Sequence, residues 1–127
     1  KAVLPPNHPL VQHGFVTLAD LTSEPFLELE EGSYSEPLAA FEKAHLQPNI
    51  KLRVHDDYSI LSMVELGLGV SILPELVLQK TAYNVAILPI KPELTRNIGM
   101  ISQKKEMLPI ASQYFINFIM KNIDLLP

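Results

Sequence analysis

The chain has 127 residues, of which 47% are hydrophobic and 19% charged, with a formal net charge of −4. That composition excludes a disordered tail and suits one ordinary domain, or one lobe and part of another. The acidic balance argues against a phosphate-gripping surface, the absence of cysteine excludes disulfides and thiolate metal sites, and no run of about 18 apolar residues could span a membrane.

The first residue is Lys rather than Met and stands directly in an apolar run, so the chain reads as a piece of a longer protein. Residues 1–5 (KAVLP) have the pattern of a short buried strand halted by Pro5 and Pro6. Asn7, His8 and Pro9 are turn chemistry, and a polar loop runs on to Gly14. Residues 15–21 (FVTLADL) predict a short strand and a turn of helix, and residues 26–29 (FLEL) alternate as a strand does. Glu30, Glu31, Gly32, Ser33 and Tyr34 then form a polar loop at that strand's carboxyl end. Ser35 is a good N-cap and Pro37 falls in a first helical turn, which predicts a helix over residues 36–46.

Residues 50–54 (IKLRV) alternate strictly and predict a strand with one buried face. Residues 54–74 (VHDDYSILSMVELGLGVSILP) follow as strand end, polar turn, apolar helix, glycine break, strand and proline stop. That is a βαβ unit, and open α/β sheets bind ligands at the carboxyl ends of such strands. Here that end carries His55, Asp56, Asp57, Tyr58 and Ser59, with Asp57 or Ser59 able to cap the helix. Gly67 suits a left-handed helix terminus and Gly69 a close helix-to-strand approach. Residues 75–80 suggest a brief amphipathic turn, and residues 85–89 and 97–102 read as strands. A last helix, residues 109–122, has only a narrow polar stripe (Gln113, Asn117, Lys121) and is expected to be buried on more than one side.

No catalytic constellation survives inspection. Gly69-Val70-Ser71 half-matches a nucleophile elbow, but Leu73 replaces the second glycine and the serine precedes an apolar run. Gly67-x-Gly69 follows a helix and precedes a strand, the reverse of a dinucleotide fingerprint. His8, His13, His45 and His55 share no metal-ligand spacing. Asp56 and Asp57 at one helix start, facing a loop with Glu30 and Glu31, would make a negative rim that serves an amine or zwitterion better than an anion.

Taken together, three segments resemble the effector-binding (substrate-binding) domain of LysR-type transcriptional regulators. They are Pro5-Pro6-Asn7-His8-Pro9-Leu10; Leu18-x-Asp20-Leu21 with Glu24-Pro25-Phe26; and Met63-Val64-x-x-Gly67-Leu68-Gly69-Val70-Ser71-Ile72-Leu73-Pro74. The resemblance implies an α/β, periplasmic-binding-protein type-two-like fold, a three-layer α/β/α lobe with part of a second lobe. It implies a small-molecule effector in the interlobe cleft, no cofactor, a cytoplasmic homodimer or tetramer, and promoter DNA bound only through a helix-turn-helix domain absent from this chain. By position, the ligand-facing residues are Gly32, Ser33 and Tyr34 after the first strand of lobe two, and Asp57, Tyr58 and Ser59 at the helix start. The hydroxyl residues that the family often offers anionic effectors are joined here by Asp56 and Asp57.

The same correspondence divides the chain into residues 1–20 (remnant of lobe one and first crossover), 21–90 (lobe two) and 91–127 (second crossover and return to lobe one). With lobe one truncated, residues 2–4 or 97–102 are expected to pair with a second chain or to be displaced. A fragment of an extracytoplasmic type-two solute-binding protein would share the fold and is the alternative.

Overall fold

The computed structural model describes residues 1–80 and 82–125. It divides into two compact units, residues 1–96 and residues 97–127.

Unit one contains five strands: β1 (Ala2–Leu4), β2 (Pro25–Leu29), β3 (Asn49–Val54), β4 (Ser71–Ile72) and β5 (Ala86–Leu88). β1 lies antiparallel between β4 and β5, with Ala2 opposite both Ile72 and Leu88. β2 and β3 pair in parallel, and a parallel bridge from Phe26 to Val70 joins the two groups. Val70 accepts from the Leu27 amide and donates to the Pro25 carbonyl, both at 2.8 Å. The lateral order is therefore β3-β2-β4-β1-β5. The N-terminal strand is thus held on both sides within the chain, so of the two segments expected to pair with a second chain or to be displaced, residues 2–4 are not the one. Its pairing with β4 and β5 also places residues 2–4 in the same sheet as residues 25–29.

Successive strand residues point to opposite faces, and this alternation builds two cores. Ala2, Leu4, Phe26, Val70, Ile72 and Leu88 face one side and meet Val16, Leu18, Leu21 and Phe41. Val3, Leu27 and Leu73 face the other and meet Ile60, Leu61, Val64 and Leu78. The first layer is supplied by α1 (Leu18–Leu21) and α2 (Glu36–Lys43), the second by α3 (Asp57–Glu65) and α4 (Glu75–Leu78). Phe26 and Phe41 meet edge to face at 5.6 Å, fastening α2 to the sheet. Unit one thus has the expected helix, sheet and helix layers.

Local chemistry sets the helix ends. Thr17 and Asp20 form a reciprocal capping box at α1, and Ser35 caps α2 through the Leu38 amide. Gly67 follows α3 with φ +76°, the left-handed terminus expected of it. α3 is capped by Asp56, whose Oδ2 accepts from the Ser59 amide at 2.7 Å, and not by Asp57 or Ser59 as predicted. Asp56 has the extended backbone of a cap, while Asp57 is already the first helical residue. β3 is an edge, so its expected buried face is incomplete: Leu52 is 45% exposed.

Unit two holds α5 (Ile110–Lys121) between two short 3-10 turns, Lys105–Met107 and Ile123–Leu125. Residues 97–102 are not a strand, because no described neighbour offers them a ladder of hydrogen bonds. No residue of α5 is buried, against the expectation; Ile110, Tyr114, Phe115 and Phe118 are all exposed. Among its described residues, unit two has no sheet of its own to cover them.

Gly69 is where β2 and the segment entering β4 come closest. A Cβ there would overlap the Pro25 carbonyl oxygen and lie 3.2 Å from Leu27 Cγ. The approach is strand to strand, a tighter constraint than the helix-to-strand contact predicted. Gly69→Ala is expected to cost about 1–3 kcal/mol by overpacking against backbone that cannot yield, measured as a lower urea midpoint at unchanged m-value.

Candidate functional site

Parallel pairing carries β2 and β3 to the same edge of the sheet, with Leu29 opposite Val54. The loops that leave them are tied together at once. The Glu30 amide donates to the Val54 carbonyl at 2.9 Å, and His55 Nδ1 lies 3.1 Å from the Glu30 carbonyl oxygen. His55 Nε2 is 3.8 Å from Glu30 Oε2, so its carboxylate neighbour is Glu30 and not the adjacent aspartates. Beyond this junction a cavity of about 70 Å³ opens beside the loop, lined by Leu29, Glu31, Tyr34, Glu36, Ile72, Pro74, Leu94 and Arg96 among others.

Arg96 dominates the charge of this cavity. Its Nε and Nη2 donate to the two oxygens of Glu36 at 2.9 Å each, and Nη2 also donates to Glu31 Oε2 at 2.9 Å. A planar guanidinium matches a carboxylate in this two-bond manner. The Glu36 carboxyl is held below the usual range, chiefly by its hydrogen bonds from Arg96, and Arg96 is held firmly protonated by Glu36 and Glu31. The sequence reading passed over Arg96 because 60 residues separate it from Glu36. A lone arginine in a polar stretch carries no local signal of its partners.

The predicted site residues divide. Tyr34 lines the cavity and is 67% exposed. Gly32 and Ser33 line a larger open groove, about 470 Å³, on the side of Glu28, Leu38 and Glu42, which Tyr34 also borders. Asp57, Tyr58 and Ser59 line neither space. Tyr58 is exposed, and the Ser59 amide is taken by the Asp56 cap. Asp57 still feels the site. Burial raises its pKa first, the charges of Glu31 and Asp56 raise it further, and Arg96 opposes them. Its Oδ1 is buried without a hydrogen-bond partner among the described residues.

Ser71 is fully buried and its Oγ donates to the Leu27 carbonyl at 2.6 Å. It fastens β4 to β2 and faces no cavity wall. His8 caps the 3-10 turn Pro9–His13 and lies 3.3 Å from Glu24, while His45 adopts φ 55° just past α2. No helix among the described residues is long and apolar enough to cross a membrane.

The two aspartates at α3 have opposite pH signatures. Asp56 is lowered by its bonds to Ser59, so it supports the fold above the ordinary carboxylate range and that support fades as pH falls through its folded pKa. Asp57 is raised, so its ionised form opposes folding; the penalty begins to shrink as pH falls through its folded pKa and is gone only below the ordinary aspartate value. Asp57→Asn is expected to raise the melting temperature at pH 7 and to leave it unchanged near pH 3. Asp56→Ala is expected to lower it at pH 7, with the difference shrinking in acid; thermal melts across pH 3–8 check both.

Comparison with known proteins now places the fold. The protein-family model described as the LysR substrate binding domain matches residues 1–124. The transcriptional dual regulator GltC of Bacillus subtilis is 30% identical over 119 residues, covering 90% of this chain and 40% of GltC. Among solved structures, the effector-binding domain of QuiR in complex with shikimate superposes with TM-score 0.71 and 26% identity, covering 94% of this chain and 58% of that one. HinK, a LysR family transcriptional regulator from Pseudomonas aeruginosa, superposes with TM-score 0.76 at 23% identity, covering 95% of this chain and 43% of its own. The chain spans 26% and 40% of the length of two curated relatives that it matches. The architecture is the periplasmic-binding-protein type-two-like α/β fold, and the chain belongs to the LysR substrate-binding domain family.

Proposed function

We propose that this chain is the effector-sensing part of a LysR-type transcriptional regulator and that it performs no catalysis. The observation that carries the reading is a cavity at the carboxyl end of β2, closed by the loop after that strand and by residues 72–74 and 94–96, and walled by apolar side chains and a few charged groups. Small-molecule sites have that make-up: apolar lining with a few placed polar groups. A volume of about 70 Å³ accepts the headgroup of a metabolite and not the whole of it. The effector is therefore shared with a second lobe. By the family correspondence, residues 91–127 hold the second crossover and the return to lobe one.

The relatives are regulators of transcription, which favours this reading over a solute-binding protein of the same fold. It brings with it a cytoplasmic homodimer or tetramer, in which effector binding reorients the lobes. Promoter DNA is then contacted by a separate helix-turn-helix domain. Tyr34 borders both the cavity and the adjoining groove, Gly32 lets their shared loop turn with φ +79°, and Ser33 offers its hydroxyl to the groove, while Asp57, Tyr58 and Ser59 at the start of α3 would meet only a part of the effector that extends beyond both spaces. The cavity wall carries two carboxylates, Glu31 and Glu36, against one guanidinium, Arg96, with Asp57 within their field. That surplus favours an amine or a zwitterion as effector.

Thermal-shift screening against amines, amino acids and carboxylates tests the proposal. A ligand at 100 times its Kd is expected to stabilise by about 2.7 kcal/mol. A Leu94→Trp variant, which fills the cavity, is expected to lose that shift; full retention would move the site elsewhere.

A further inference from the structure

We propose that Glu31 and Glu36 are the specificity determinants of the cavity: by occupying Arg96 they close it to carboxylate ligands and reserve it for ligands bearing an ammonium group. This rests on reading the cavity as the effector site and adds which residues decide the charge of what enters.

An arginine next to a cavity ordinarily invites an anion, because a guanidinium presents two edges that each match a carboxylate with parallel N–H bonds. Both edges run through Nη2 here, and both of its hydrogens are taken, one by Glu36 Oε2 and one by Glu31 Oε2. Nε, which completes the first edge, is taken by Glu36 Oε1. Only Nη1 keeps donors without an acceptor among the described residues, so an incoming carboxylate meets no complete fork. To gain one it must expel a glutamate, and the expelled charge stays next to the new anion.

An ammonium meets the reverse situation. Glu31 and Glu36 both line the cavity with partly accessible side chains, 43% and 32%, and Glu31 Oε1 has no hydrogen-bond donor among the described residues. The ligand's apolar stem has Leu29, Leu94 and the Tyr34 ring to lie against. Glu36 is also fixed in place, as the first residue of α2 directly after the Ser35 cap.

The test uses the full chain and two probes with the same aliphatic stem and opposite charge, n-butylammonium and n-butyrate, titrated by NMR at fixed ionic strength. The wild type is expected to bind the ammonium at least tenfold more tightly than the carboxylate. Glu31→Gln with Glu36→Gln is expected to reverse that preference, and Arg96→Gln to keep it. A preference unchanged in the double glutamine variant, with binding intact, overturns the proposal while leaving the cavity as the site. Binding of neither probe to the wild type, or binding that a cavity-filling Leu94→Trp does not weaken, overturns both. If the double variant fails to fold, Glu31→Gln alone decides: the ammonium-to-carboxylate ratio must fall at least threefold, and a smaller change refutes the assignment.

Discussion

The contact on which the rest of unit one depends is the approach of residues 69–70 to β2. Val70 bonds to the carbonyl of Pro25 and the amide of Leu27, and only a residue without Cβ can precede it there. This joint converts a parallel pair and an antiparallel triplet into one run of five strands. Ser71 reinforces it from the next position through the Leu27 carbonyl. Remove the joint and the two faces lose their common plane, because Phe26 and Val70 belong to one core while Leu27 and Leu73 belong to the other.

The same joint locates the cavity. Fixing β2 against β4 brings Leu29 and its loop near Ile72 and Pro74, which form opposite parts of the cavity wall. The segment after β5 then supplies Leu94 and Arg96 from the far side of the sequence. A sheet assembled from chain positions 2 to 88 is rigid enough to hold side chains from four segments around a space of headgroup size. Rigid placement of a few charged groups is what allows a small site to discriminate.

The carboxylates around the site divide their work by environment. Asp56 is exposed and occupied with capping α3, so its charge is held by a backbone amide. Glu36 begins α2 and is held by Arg96. Asp57, one residue past the cap, is partly buried near Glu31 with an oxygen left unpaired, and its charge is resisted. Three acidic side chains within one neighbourhood thus respond to pH in two directions, for reasons that are local to each.

Local patterns were enough to read most of this chain. The caps at Ser35 and Gly67, the strands at Ala2–Leu4 and Pro25–Leu29 and the βαβ unit follow from residue-scale preferences, which act between near neighbours along the chain. Three family-like segments carried the fold class, and the family match over residues 1–124 agrees with it. What the sequence could not determine is partnership at long range. Whether β1 pairs inside the chain, whether residues 97–102 find a ladder, and which carboxylates Arg96 takes depend on how separate segments meet. Alternation and capping are properties of neighbouring residues, whereas the cavity and its charge are made by residues up to 65 positions apart, and only the folded chain brings those within reach of a hydrogen bond.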